Sequence, residues 1–142
     1  MSLANVNWIS VLSAAVAAWV FGAVYYTSLA NQWHAAQGKT LEQCKAENAG
    51  KPPLAKAAPF ILSFIAEVIM GVTLFGILVH TAMFTVRAGM ISGAFCWFGF
   101  VLTTMAVTNA YSSRRVMLTV LDGVHWLGVL LIIGAIIGGW GR

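Results

Sequence analysis

The sequence predicts an all-α integral membrane protein, a bundle of four transmembrane helices with the N and C termini on the same side. Three observations predict it. The 142-residue chain is 60% hydrophobic and only 8% charged, with a mean hydropathy of +0.85, whereas soluble domains carry about a quarter charged residues. Its apolar residues gather in four runs, about 6–29, 58–80, 88–110 and 116–140. Each reaches the ~20 residues that a helix needs to cross a hydrocarbon core of about 30 Å. Too little chain remains outside these runs for the many ~10-residue strands of a barrel. The whole chain, 1–142, reads as one membrane domain.

The first run ends in Ser28-Leu29-Ala30, which looks like a signal-peptide cleavage site. Met1–Asn5 has no Lys or Arg, however, and the run is about twice a normal signal core. It is read as a retained helix. Ala14, Ala18 and Gly22 recur along it at the four-residue spacing that lets helices approach closely in lipid. Trp8, Tyr25, Tyr26, Trp33 and Trp140 lie near span ends, where amphipathic aromatics anchor at the interface.

Between the first two runs lies the polar loop 30–57. Thr40 and Gln43 fit a capping box, Gly50 a stop, and Pro52-Pro53 bars continuation, so one short helix is expected there. Leu41, Cys44 and Lys45 would rest it on lipid headgroups, unless the loop is only a solvated connector. Cys44 and Cys96 stand in different environments with no paired spacing, which argues against a disulfide or a zinc site.

The third and fourth runs carry further small pairs, Gly89 with Gly93 and Gly134 with Gly138. These fit packing within one bundle as well as dimerisation. The loop and the turn between the last two runs share one side and hold Lys39, Lys45, Lys51, Lys56, Arg114 and Arg115. The other side has Arg87 and Arg142. Positive-inside reasoning makes the loop cytoplasmic and the termini external. The net charge of +4 belongs to this asymmetry and gives no nucleic-acid signal.

Function is sought where an apolar span carries charge. Asp122 and His125 lie three positions apart in the fourth run, within about 60° of each other on the helix. Glu67 lies in the second. Counted from the cytoplasmic ends at Ala58 and Val116, Glu67 and His125 are each about 13 Å deep, with Asp122 about a turn shallower. Each such group costs on the order of 2.5–3.5 kcal/mol to insert, so the three are expected to face the bundle interior and satisfy one another. Tyr26, Asn109 and Arg115 are their expected neighbours.

Two readings follow. In one, the polar centre handles a proton, a cation or a small polar ligand, in a transporter-like or binding protein that is a homo-oligomer. In the other it is structural glue in a non-catalytic accessory subunit of a larger membrane complex. The types of Glu67, Asp122 and His125 would suit a metal, but no ligand motif fixes one. His34, His80 and His125 differ in depth, which argues against bis-histidine haem, and no cofactor is expected. No GxSxG, Walker A or GxGxxG occurs in context, and no nucleophile stands beside the Asp–His pair, so the reading leans away from an enzyme.

The chain resembles a bacterial membrane family of unknown function, DUF1761. The resemblance rests on Asn7-Trp8, on "FGAVYYTSL" at Phe21–Leu29 followed by Trp33, on "LTTMAVTNAY" at Leu102–Tyr111, and on "LDGVHWLGVLLIIGAIIGGW" at Leu121–Trp140. The family's Gly-x-x-Trp-Tyr-Ser pattern is met by Gly22, Tyr25 and Tyr26, with Tyr for Trp and Thr27 before Ser28. Its Asp and His three residues apart are met by Asp122 and His125. Glu67 belongs to none of these motifs. The resemblance implies the bacterial inner membrane and a four-span fold, and adds no activity. A reporter active only in the periplasm, fused after Arg142, should be active, and silence there would reverse the orientation.

Overall fold

The computed structural model describes residues 5–142; the chain before them, part of the uncharged Met1–Asn5 segment, lies outside it. Every element within it is helical: α1 (Trp8–Ser28), α2 (Ala30–Ala36), α3 (Leu41–Ala49), α4 (Pro53–Thr81), α5 (Val86–Cys96), α6 (Thr103–Tyr111) and α7 (Val116–Trp140). A π-helical stretch, Trp97–Leu102, joins α5 to α6, so Val86–Tyr111 runs as one long helix. Among the described residues, four helices are long and apolar enough to cross a membrane: α1, α4, the α5–α6 unit and α7.

The ends of these helices follow local chemistry. Asn7 caps α1 by accepting the Ser10 amide at 3.1 Å, and Thr85 caps α5 by accepting that of Ala88 at 3.1 Å. Thr40 and Gln43 form a complete capping box on α3, and Gly50 ends it. Pro53 occupies the first turn of α4, where its missing N–H leaves no helical bond unmade. α4 therefore begins ahead of the apolar run. Gly38 follows α2 with a φ of 78°, a left-handed conformation that glycine adopts without strain.

The loop between α1 and α4 is thus mostly helix. Cys44 is buried, so α3 turns this thiol toward protein and not toward headgroups. Lys39 and Glu47 form an exposed ion pair at 2.7 Å that holds the Glu47 carboxyl below its usual range and the Lys39 amine above its own. Such a pair is screened by solvent and contributes little to stability.

The core sits where α1, α4 and α7 meet. Val11, Ala14 and Ala18 of α1 pack with Leu74 and Leu78 of α4 and with Val129, Ile133 and Ile137 of α7. The α5–α6 unit is peripheral: its buried residues are Gly89, Gly93 and Asn109. It joins α7 backbone to backbone. A Cβ on Gly89 would collide with the Gly134 carbonyl, and one on Gly134 with that of Gly89. Gly138 lies against the Thr85 carbonyl in the same way, and a Cβ on Gly93 would come within 2.5 Å of the Leu130 carbonyl. Helices in lipid associate through such close packing, because apolar surface alone gives them no drive to leave the lipid.

Gly89→Val should therefore cost on the order of 1–3 kcal/mol by overpacking this contact. A Cβ on Gly99, in the π-helical stretch, would meet nothing within 4 Å. Thermal unfolding in detergent should show a clear loss for Gly89→Val and none for Gly99→Ala; equal losses would contradict the contact.

Candidate functional site

The polar centre is built by the last turns of α1, by α2, by the middle of α4 and by the first half of α7. Helix α1 ends at Ser28, and the chain departs from helical geometry at Leu29 before resuming as α2. That break returns Trp33 toward α7. Asp122, half-buried on α7, accepts two hydrogen bonds on one oxygen: from the Tyr26 hydroxyl at 2.8 Å and from Trp33 Nε1 at 2.9 Å. The neighbouring carbonyls are held likewise. Tyr25 donates to the Leu121 carbonyl at 2.9 Å, and Trp97, the first residue of the π-helical stretch, donates to that of Gly123 at 2.8 Å. Three consecutive residues of α7 are thus gripped by uncharged aromatic donors from α1, α2 and the third span.

His125 lies one turn deeper and is 4% exposed. Its ring stacks on Phe21, with centroids 6.1 Å apart and planes 6° apart, and it also touches Tyr25, Tyr26 and Trp126. Gly22 lies under it: a Cβ there would come within 2.8 Å of Nε2. The glycine makes room for the imidazole. Neither ring nitrogen has a hydrogen-bond partner among the described residues.

Glu67, on α4, is 1% exposed, and its Oε2 has no hydrogen-bond partner among the described residues. Glu67, His125 and Tyr26 line one cavity of about 610 Å³ between α1, α2 and α4. Trp19, Trp33 and Phe60 supply most of its aromatic wall, and His34 faces it from α2. His34 Nδ1 is a further buried atom without a partner among the described residues. Leaving buried polar atoms unpaired costs about 1–3 kcal/mol each, so a site that collects several marks a place where a ligand can repay the loss.

The six residues singled out from the sequence fall into three places. Tyr26, Glu67 and His125 share the cavity. Asp122 stands beside it, bonded to one of its walls. Asn109 and Arg115 do not join them: Asn109 donates to Thr119 at 2.9 Å, and Arg115 donates to the Ala35 carbonyl at 2.8 Å. Asn109 ties α6 to α7, and Arg115 places a cation at the C-terminal end of α2, where the helix dipole favours it.

The expectation that Glu67, Asp122 and His125 satisfy one another is corrected by this geometry. Asp122, a turn shallower, meets the Tyr26 and Trp33 donors, which neutralise its need without a second charge. The other two are left with spare capacity. Among the described residues, no three His, Cys, Asp or Glu side chains come together as a metal-holding group. Tyr25 and Trp33, expected as interfacial anchors, turn inward instead, and Tyr26 stands at the polar centre where it is expected as a neighbour. Sequence reading gave no sign of Trp33 and His34 as site residues, because only the break at Leu29 brings them back.

A family model described as a protein of unknown function, DUF1761, matches residues 9–138. The chain belongs to that family. The match reaches into all four spans and takes in every residue named at the site. No curated protein and no solved structure matches this DUF1761 chain.

Proposed function

We propose that this DUF1761 protein is a small multi-pass protein of the bacterial inner membrane that binds a small polar-headed ligand in the cavity between α1, α2 and α4. One observation carries the reading: Glu67 and His125, both buried and each with polar atoms that lack a partner among the described residues, line a space of about 610 Å³. Small-molecule sites have volumes of about 300–1,000 Å³, mostly apolar walls and a few convergent polar groups. A network that served only cohesion would close these groups on one another, and here they stay open. The clustering of Lys39, Lys45, Lys51, Lys56, Arg114 and Arg115 supports a cytoplasmic loop and external termini in a four-span bundle. The site then lies in the cytoplasmic half of the membrane. Four helices seldom enclose a permeation path alone, so a transport role calls for a homo-oligomer, in which Glu67 and His125 carry protons or grip the cargo.

Native mass spectrometry of protein released gently from its own membrane tests this. Wild type should retain a small non-lipid mass. Ser63→Trp, which fills the cavity one turn from Glu67, should lose it while remaining folded. An accessory subunit would instead bring stoichiometric foreign chains, with no retained mass sensitive to Ser63. That outcome would overturn the binding reading.

A further inference from the structure

The cavity's own hydrogen-bonding inventory narrows the ligand class. Its wall holds five uncharged side-chain donors besides the histidines, on Trp19, Tyr26, Thr27, Trp33 and Ser63, and all are engaged within the protein. Trp19 Nε1 donates to the Phe60 carbonyl at 3.1 Å, Trp33 Nε1 to Asp122, and the Tyr26 hydroxyl to Asp122. The Ser63 hydroxyl is also engaged, donating to the Phe60 carbonyl at 2.9 Å. What remains open is the Glu67 carboxyl with its unpartnered Oε2, together with His125 and His34. A carboxylate accepts only, while a neutral imidazole accepts on one nitrogen and donates through the other. No Lys or Arg lines the cavity among the described residues. An anion would find no fixed positive partner there.

We infer that the cavity takes an organic cation with an apolar body, such as an alkylated or aryl-substituted ammonium, with Glu67 as its counter-charge. This rests on the cavity being a binding site and adds the sign and shape of what fills it. Trp19, Trp33, Tyr26 and Phe60 suit such a ligand, because aromatic faces attract cations and also accept apolar substituents. Phe60 is 60% exposed and Trp19 36% exposed at the outer edge of the wall, so the apolar body reaches the cavity from the lipid side. A permanently charged head needs no donor from the protein, and the cavity has few left to give.

Tetraphenylphosphonium provides a hydrophobic cation as probe, and tetraphenylborate the anion of matching shape. Both are titrated into the full chain in lipid nanodiscs, with tryptophan fluorescence and calorimetry as readouts. The cation should bind saturably and quench tryptophan. The anion should show only the partition seen with empty nanodiscs. Glu67→Gln should weaken the cation by about tenfold or more, in line with loss of a charge-assisted contact, while Glu67→Asp recovers part of the affinity. Trp19→Leu should weaken it by a few fold. Melting curves for each variant establish that it is folded.

Equal saturable binding of both probes, abolished by Ser63→Trp, would overturn the charge assignment and leave the binding site standing. Binding of neither, with no retained mass in the native protein, would remove the site as well. Cation binding that Glu67→Gln leaves unchanged in a folded protein would also overturn the assignment.

Discussion

The arrangement depends on how Asp122 is satisfied. A carboxylate in an apolar helix has to find donors, and here it finds a phenol and an indole on two different helices. Those bonds hold the end of α1 and the short α2 against α7. They also use the donors that would otherwise have been shared with the rest of the polar centre. Glu67 and His125 line the cavity without partners for their buried polar atoms among the described residues, while the Tyr26 and Trp33 donors on the same wall serve Asp122. A cavity in the structure and a carboxylate in the sequence are thus two sides of one constraint.

The glycines let this happen without opening the bundle. Gly89 and Gly134 bring the α5–α6 unit hard against α7, so the third span is held from the side away from the cavity. That contact sets the register in which Trp97 reaches the Gly123 carbonyl, one residue past Asp122. The π-helical stretch begins at this tryptophan. π-helical turns recur at functional sites, where the extra residue re-aims a side chain. Gly22 has a different task from the other small residues of its stripe. Ala14 and Ala18 are buried in the core, while Gly22 leaves space for an imidazole that no larger residue would admit.

Much of this was legible in the sequence, for physical reasons. Long apolar runs in a chain with four acidic and eight basic residues leave little alternative to membrane helices. Thr40, Gln43 and Gly50 encode a cap and a stop that act locally, and α3 forms where they say. Glu67 and His125 were found by the cost of burying them. Tyr26 was expected near Asp122, but its second partner, Trp33, was not legible. That bond depends on the bend at Leu29 that returns Trp33, and on which of several aromatic residues turns inward. Asn109 was expected from its depth and Arg115 from its place two turns below Asp122 on the same face, and neither says which neighbour lies nearer.

Whether water enters the cavity that Glu67 lines decides between a binding site and a structural one. Thiol accessibility tests it most directly, because a cysteine reacts as its thiolate and forms that ion only where water or a polar site can support it. In a background lacking Cys44 and Cys96, Ser63→Cys places a thiol on the cavity wall and Ile69→Cys places one on the exposed apolar face of the same helix. In native membranes the Ser63→Cys protein should react with a small cationic methanethiosulfonate reagent at least about tenfold faster than the Ile69→Cys protein. Reaction at the same slow rate at both positions would mean that the cavity is closed and the polar centre is structural.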